Sequence, residues 1–184
     1  VSKENDIKIC FEKIKKIWGT VDFIVHAIAY SDKKELCGRY LDTTSDNFLN
    51  TLNISCFSLT AIAKEAINLM SKGGSIVTLS FYGSEKVFPN YNVMGIAKAA
   101  LETSVKYLSV DLGSKNIRVN AISSGPMRTL SGAGIKNARE ILKFAQNNSP
   151  LKRNVSLQEL GNTTTYLVSD LSTAVTGETL YVDC

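Results

Sequence analysis

The stretch "GGSIVTLS" (residues 73–80) decides how this chain folds. Its two glycines close whatever helix precedes them, because a residue without a Cβ enters the left-handed conformation that ends a helix at little steric cost. The residues that follow are nearly all apolar or small, with little alternation, the habit of a strand covered on both faces in a parallel sheet. Upstream, the segment from Thr44 through "FLNTLNISCFSLTAIAKEAINLM" reads as a long helix that stops at Lys72. Downstream, Val93, Ile96, Ala97, Ala100, Leu101, Ser104, Val105 and Leu108 recur at helical spacing until Gly113. Helix, buried strand and helix in succession make the unit of a parallel α/β sheet.

The pattern continues on either side. "IKICFEKIKKIWG" places Ile7, Cys10, Phe11, Ile14 and Ile17 on one helical face and ends at Gly19. "VDFIVHAIA" (residues 21–29) then reads as another buried strand, and "IRVNAIS" and "ETLYVDC" supply two more. "SSGPMRTLSGAG" (residues 123–134) is a Ser/Gly-rich loop, followed by a helix near 137–147. Ser156 and Glu159 form a capping-box pair in front of a further helix. The expected fold is a Rossmann-type doubly wound parallel α/β sheet with helices on both faces and right-handed crossovers. It forms one domain over residues 1–184, with a mobile substrate and cofactor loop at about 124–147. In such sheets "VDFIVHAIA" pairs with the first strand of a preceding βαβαβ half. Neither that half nor its glycine-rich phosphate turn is found, so the N-terminal half is expected to be absent from this chain and "VDFIVHAIA" to lie at an edge.

Composition narrows the function. The net charge of +4 is spread along the chain, and Lys13, Lys15, Lys16, Lys33 and Lys34 are not interleaved with aromatic residues, which argues against nucleic-acid binding. Cys10, Cys37, Cys56 and Cys184 are widely spaced, with no Cys-x-x-Cys pair, so free thiols in a reducing compartment are expected. The single histidine, His26, lies within an apolar run; it excludes a multi-histidine metal centre and reads as a buried, hydrogen-bonded group. No apolar stretch approaches the length of a membrane span, and a cytoplasmic location without membrane attachment is expected.

In "PNYNVMGIAK" (residues 89–98), Tyr91 precedes Lys98 by seven residues, nearly two helical turns or about 10 Å along an axis. A nearby ammonium favours the phenolate of a tyrosine, and the pair suits a reaction that builds negative charge on a substrate oxygen. By spacing alone, a tyrosine at a helix start and a solvated lysine is the commoner arrangement.

The ordered set "IVHAIA", "GGSIVTLS", "PNYNVMGIAKAALE", "NIRVNAISSGPMRT" and "TGETLYVDC" resembles the short-chain dehydrogenase/reductase superfamily, and within it the branch of NADH-dependent enoyl-acyl carrier protein reductases. Most of the superfamily places the lysine four residues after the tyrosine; this branch places it seven after. The resemblance implies reduction of a trans-2-enoyl thioester on acyl carrier protein by NADH, in the last step of fatty-acid elongation. Tyr91 would hydrogen-bond the enolate oxygen, and Lys98 would hold the nicotinamide ribose. Val1, Ala27, Ile28, Met127, Arg128, Thr129, Leu130 and Ser131 would lie at the cofactor, and Ser31, Phe81 and Tyr91 at the substrate. The "GAGI" that follows would belong to a mobile lid. Phe81 stands where the family has a second active-site tyrosine, so a phenol is lost there, and the adjacent Tyr82 is given no catalytic role.

The resemblance also implies a homotetramer, with which Ala61, Ala63 and Ala66 on one helix and Ala97, Ala99 and Ala100 on another are compatible. A 3-oxoacyl reductase would want a lysine where Gly95 sits. A non-catalytic cofactor-binding or oligomerisation fragment is the alternative from another class.

Overall fold

A computed structural model describes residues 1–129 and 138–184. Four strands, β1 (Phe23–His26), β2 (Gly74–Phe81), β3 (Ile117–Ser124) and β4 (Thr179–Val182), form one sheet in the order β1-β2-β3-β4, parallel throughout. The described helices are α1 (Glu4–Trp18), α2 (Ser45–Leu52), α3 (Ser58–Ala66), α4 (Val93–Gly113), α5 (Ala138–Asn148) and α6 (Leu157–Val168). Both faces of the sheet are used, as the unalternating strand patterns require. Ile76, Val119 and Ala121 pack under α1, α3 and α4, whereas their strand neighbours Val77 and Ile122 pack with Leu160 and Leu167 of α6. The β3-to-β4 connection therefore runs over the opposite face from the first two and has the opposite hand. This departs from the expected uniform right-handedness; a connection holding a loop and two helices escapes the constraint on a strand feeding directly into a helix.

Three expectations change in detail. β1 is an edge strand, as expected, but it is not covered on both faces: Phe23 and Val25, on the side of the sheet where α6 packs, are 51% and 42% exposed. Along α1, Ile7 and Phe11 are buried and Ile14 is partly so, but Cys10 and Ile17 are exposed, so the apolar face is narrower than its pattern suggests. The long second helix is broken by a π-helical turn (Asn53–Phe57) between α2 and α3. Serines at and just after that turn serve β1 and the loop beyond it: Ser58 Oγ lies 2.8 Å from His26 Nε2, and Ser55 Oγ accepts from Tyr30 N at 2.9 Å.

The helix ends follow the sequence closely. The Thr44 hydroxyl caps α2 by accepting from Asn47 N, and Ser156 and Glu159 form the capping box of α6. At the other end of α6, the Arg118 guanidinium donates to the carbonyls of Leu167 (2.8 Å) and Ser169 (3.1 Å), a cation placed on unpaired helix carbonyls. The cysteines are free thiols, and no helix among the described residues is long and apolar enough to cross a membrane.

Gly73 shows why the opening motif needs glycine. It adopts φ +89°, and a Cβ there would lie 2.5 Å from the Asn116 carbonyl oxygen, where the entry to β2 meets the entry to β3. Gly73→Ala should destabilise the fold by about 1–3 kcal/mol, read as a lower urea midpoint at unchanged slope. An unchanged midpoint would remove this close approach from the account.

Candidate functional site

Ligands of doubly wound sheets bind beyond the carboxyl ends of the strands. Here those ends open into a cavity of about 930 Å³, walled by residues following β1, by the end of β2 and by residues following β3. The wall that follows β1 is fixed by hydrogen bonds under it. Buried His26 meets the Thr78 hydroxyl at Nδ1 (2.9 Å) and Ser58 at Nε2, fixing the end of β1 beneath Ala27 and Ile28. Ser31 is held in a cluster with Asn47 and Thr51, whose hydroxyl donates to Ser31 Oγ at 3.0 Å. Burial, and then the Lys98 charge, push the His26 imidazole down to about 4, so it is neutral near pH 7.

Tyr91 and Lys98 both face this cavity and both are buried. They do not share a helical face, as the spacing suggests, because α4 begins only at Val93. Tyr91 sits in the preceding turn, between Asn90 (φ 65°) and Asn92 (φ 44°), two left-handed residues of the type that tolerates this conformation best after glycine. Asn92 Nδ2 donates to the Glu35 carbonyl at 2.8 Å, tying this turn to the loop beyond β1. Lys98 comes off the first turns of α4 and donates from Nζ to the Leu79 carbonyl at 2.6 Å.

Close backbone approach sets the position of the phenol. A Cβ on Gly83 would lie 2.5 Å from Tyr91 Cδ1, and a Cβ on Gly95 would lie 2.8 Å from the Gly83 carbonyl oxygen. The chain therefore has no room for a side chain four residues after Tyr91, where a lysine of the commoner spacing would stand. Phe81 packs edge-on against the Tyr91 ring, with centroids 5.0 Å apart, and lines the cavity. Tyr82 turns away to Phe88 and Tyr181 and does not line it.

The electrostatics reverse one expectation. Burial, and then the Glu102 charge, raise the Tyr91 phenol well above its ordinary value, so in the folded chain it is a neutral donor and not a phenolate. Burial lowers Lys98 to about 8, opposed by Glu102 and Cys56. The phenolate argument rested on the nearby ammonium; burial and the Glu102 charge instead decide the state of the phenol.

Of the other residues singled out in the sequence, Ala27, Ile28, Ser31, Met127 and Thr129 line the cavity. Arg128 lines a smaller adjoining cleft of about 320 Å³, and Val1 lines neither. Leu130, Ser131 and the "GAGI" segment lie outside the described residues. The sequence reading missed an apolar wall of Leu36, Phe88 and Met94 with Ile141 and Leu142 of α5. Met94 was within reach, since it immediately precedes Gly95 on the same helix; Leu36 and Phe88 carry no periodic signal.

Comparison with known proteins places this geometry. The family model for enoyl-(acyl carrier protein) reductase matches residues 1–184. NADH-type enoyl-[acyl-carrier-protein] reductase 1 of Rhizobium meliloti is 59% identical over 96% of this chain, and the chain spans 65% of that protein's length, just under two thirds. The corresponding Rickettsia bellii enzyme is 54% identical over the whole chain, which covers 70% of it. The crystal structure of the Anaplasma phagocytophilum reductase, solved in complex with NAD, superposes with a TM-score of 0.96 at 55% identity, over all of this chain and 70% of that one. A family pattern satisfied from end to end, with the fold kept at more than half identity, means that the chain belongs to the enoyl-(acyl carrier protein) reductase family.

Proposed function

We propose that the protein reduces the carbon-carbon double bond of a trans-2-enoyl thioester carried on acyl carrier protein, with NADH as reductant. The observation that carries this reading is the convergence of a neutral Tyr91 phenol and the Lys98 amino group on one cavity, while Gly83 and Gly95 close the alternative lysine position. The names of the relatives support it, since they are NADH-dependent enoyl reductases of the same carrier-bound class.

The residues present suit a dinucleotide. The cavity lies at the strand ends, is within the size range of cofactor sites, and has a floor of small and apolar groups at Ala27 and Ile28. Lys98 spends one N–H on the Leu79 carbonyl and keeps two for the ribose hydroxyls of the nicotinamide half. Met127 and Thr129, which line the cavity, and Arg128, in the adjoining cleft, would meet the same cofactor. When bound, NADH supplies the hydride that goes to the β-carbon of the substrate. The thioester oxygen would then carry negative charge, and Tyr91 would donate its O–H hydrogen bond to it until a proton reaching the α-carbon completes the reduction. The Lys98 charge adds field of the right sign to that oxygen. Phe81 supplies shape and an edge contact to the Tyr91 ring, but no hydrogen bond. The enzyme acts in the cytoplasm as a homotetramer, a state supported by the exposed Ile96, Tyr107 and Val110 on α4 and Leu49 and Phe57 near the π-helical turn.

Two outcomes follow for the protein expressed from its complete gene. Offered a short trans-2-enoyl thioester and, separately, a 3-oxoacyl thioester, it should oxidise NADH only with the first, and Tyr91→Phe should lower kcat by roughly 10²–10³-fold. Turnover of the 3-oxo substrate would favour the other reductase class, and turnover of neither a non-catalytic module. Gly83→Ala should push the Tyr91 ring from its place and lower kcat by at least about tenfold with little change in the KM for NADH; a normal kcat would show that the close contact does not set the phenol's position.

A further inference from the structure

One carboxylate influences both members of the Tyr91–Lys98 pair, and the mechanism above does not use it. Glu102 lies one helical turn beyond Lys98 on α4. The Ser80 hydroxyl donates to the Glu102 carboxylate, while Lys98 Nζ donates to the carbonyl of Leu79, the residue before Ser80 on β2. Strand register places Ser80, Ser123 and Tyr181 side by side on the sheet face that α4 covers. The Ser123 hydroxyl, 1% exposed, has no hydrogen-bond partner in this row, so a buried polar group lies between α4 and the sheet beside the half-exposed Tyr181.

We propose that Glu102 is a positioning residue for the pair: its carboxylate, tethered by Ser80, is the counter-charge that keeps Lys98 an ammonium beneath the substrate oxygen. The inference rests on the reading of Tyr91 and Lys98 given above. Among the groups that face Lys98, Glu102 opposes the loss of its charge most, ahead of Cys56. From β1 comes His26, which burial keeps neutral; from the π-helical turn, the Cys56 thiol; from the turn before α4, the Tyr91 phenol; from β2, the Leu79 carbonyl and the Ser80 hydroxyl. From β3 and β4 the same row adds the buried Ser123 hydroxyl and the half-exposed Tyr181, whose O–H donates to Glu85. Burial drives the Lys98 proton off, and a negative charge one turn away opposes it. The same charge raises Tyr91 and so keeps its donor proton in place. Both effects act in one direction, toward a site that holds its protons until the substrate oxygen needs them.

The test follows Lys98 itself by NMR of lysine labelled with ¹³C at Cε, in the protein expressed from its complete gene, with the pH dependence of kcat measured in parallel. Removing a negative charge disfavours the ammonium, so in Glu102→Gln the Lys98 midpoint should fall by about one pH unit, and the alkaline limb of kcat should move down with it. An unmoved Lys98 midpoint, or a loss of kcat equal at every pH, would overturn the proposal. Ser80→Ala keeps the carboxylate and removes its tether; the midpoint should fall by less, and in the event that Glu102→Gln does not fold, an unmoved midpoint in this variant overturns the proposal alone. A midpoint that falls in a protein with no enoyl reductase activity would uphold the counter-charge and overturn the reading of the reaction, so the two failures are distinguishable.

Discussion

The site depends on the removal of one ammonium from water. Lys98 is buried on a helix that covers the sheet, and its Nζ donates to the Leu79 carbonyl at the end of β2. An isolated charge in such a place costs several kcal/mol. The arrangement tolerates it through a short bond to a carbonyl, a carboxylate one turn further along the helix and an open cavity on the remaining side. The free N–H groups of that ammonium point the chemistry toward a ligand that carries hydroxyls and gathers negative charge.

The phenol is fixed by a different device. Where β2 ends, the chain turns so tightly that Gly83 lies against the Tyr91 ring and the position of Gly95 lies against the Gly83 carbonyl. Two left-handed asparagines carry the backbone past Tyr91 and into α4, and one of them reaches across to the loop beyond β1. Tyrosine and lysine are thus delivered by separate local structures, one a strained turn and the other a helix, and they reach one cavity because both are anchored to the end of the same strand. A buried, neutral phenol beside a buried ammonium is a donor pair, suited to stabilising charge that appears on an oxygen rather than to abstracting a proton.

Much of this was legible in the sequence, for reasons that particular residues make plain. The double glycine before β2 and the unalternating strand runs announce a sheet covered on both faces, and Ser156 with Glu159 announces the start of α6. The Tyr91–Lys98 spacing was visible, but its geometry was not: sequence period assigns both to one helix, and only the left-handed Asn92 shows that the helix begins later. The Tyr91 proton was misjudged for a related reason. Spacing reveals that a charge is near, whereas desolvation depends on how Phe81 and the glycine turn enclose the ring. The hand of the last crossover and the apolar wall of Leu36 and Phe88 arise from long-range packing, which leaves no periodic trace in the chain.

The central claim, that Lys98 grips the reductant while Tyr91 serves the substrate, is tested most directly by binding without turnover. NADH fluorescence titrations would be run on the wild type, Lys98→Ala and Tyr91→Phe, each expressed from the complete gene, with no thioester present. The account predicts that Lys98→Ala weakens NADH binding by about tenfold or more, the loss of charge-assisted hydrogen bonds, while Tyr91→Phe binds it as the wild type does. Unchanged affinity in Lys98→Ala, or an equal loss in both variants, would contradict that division of labour.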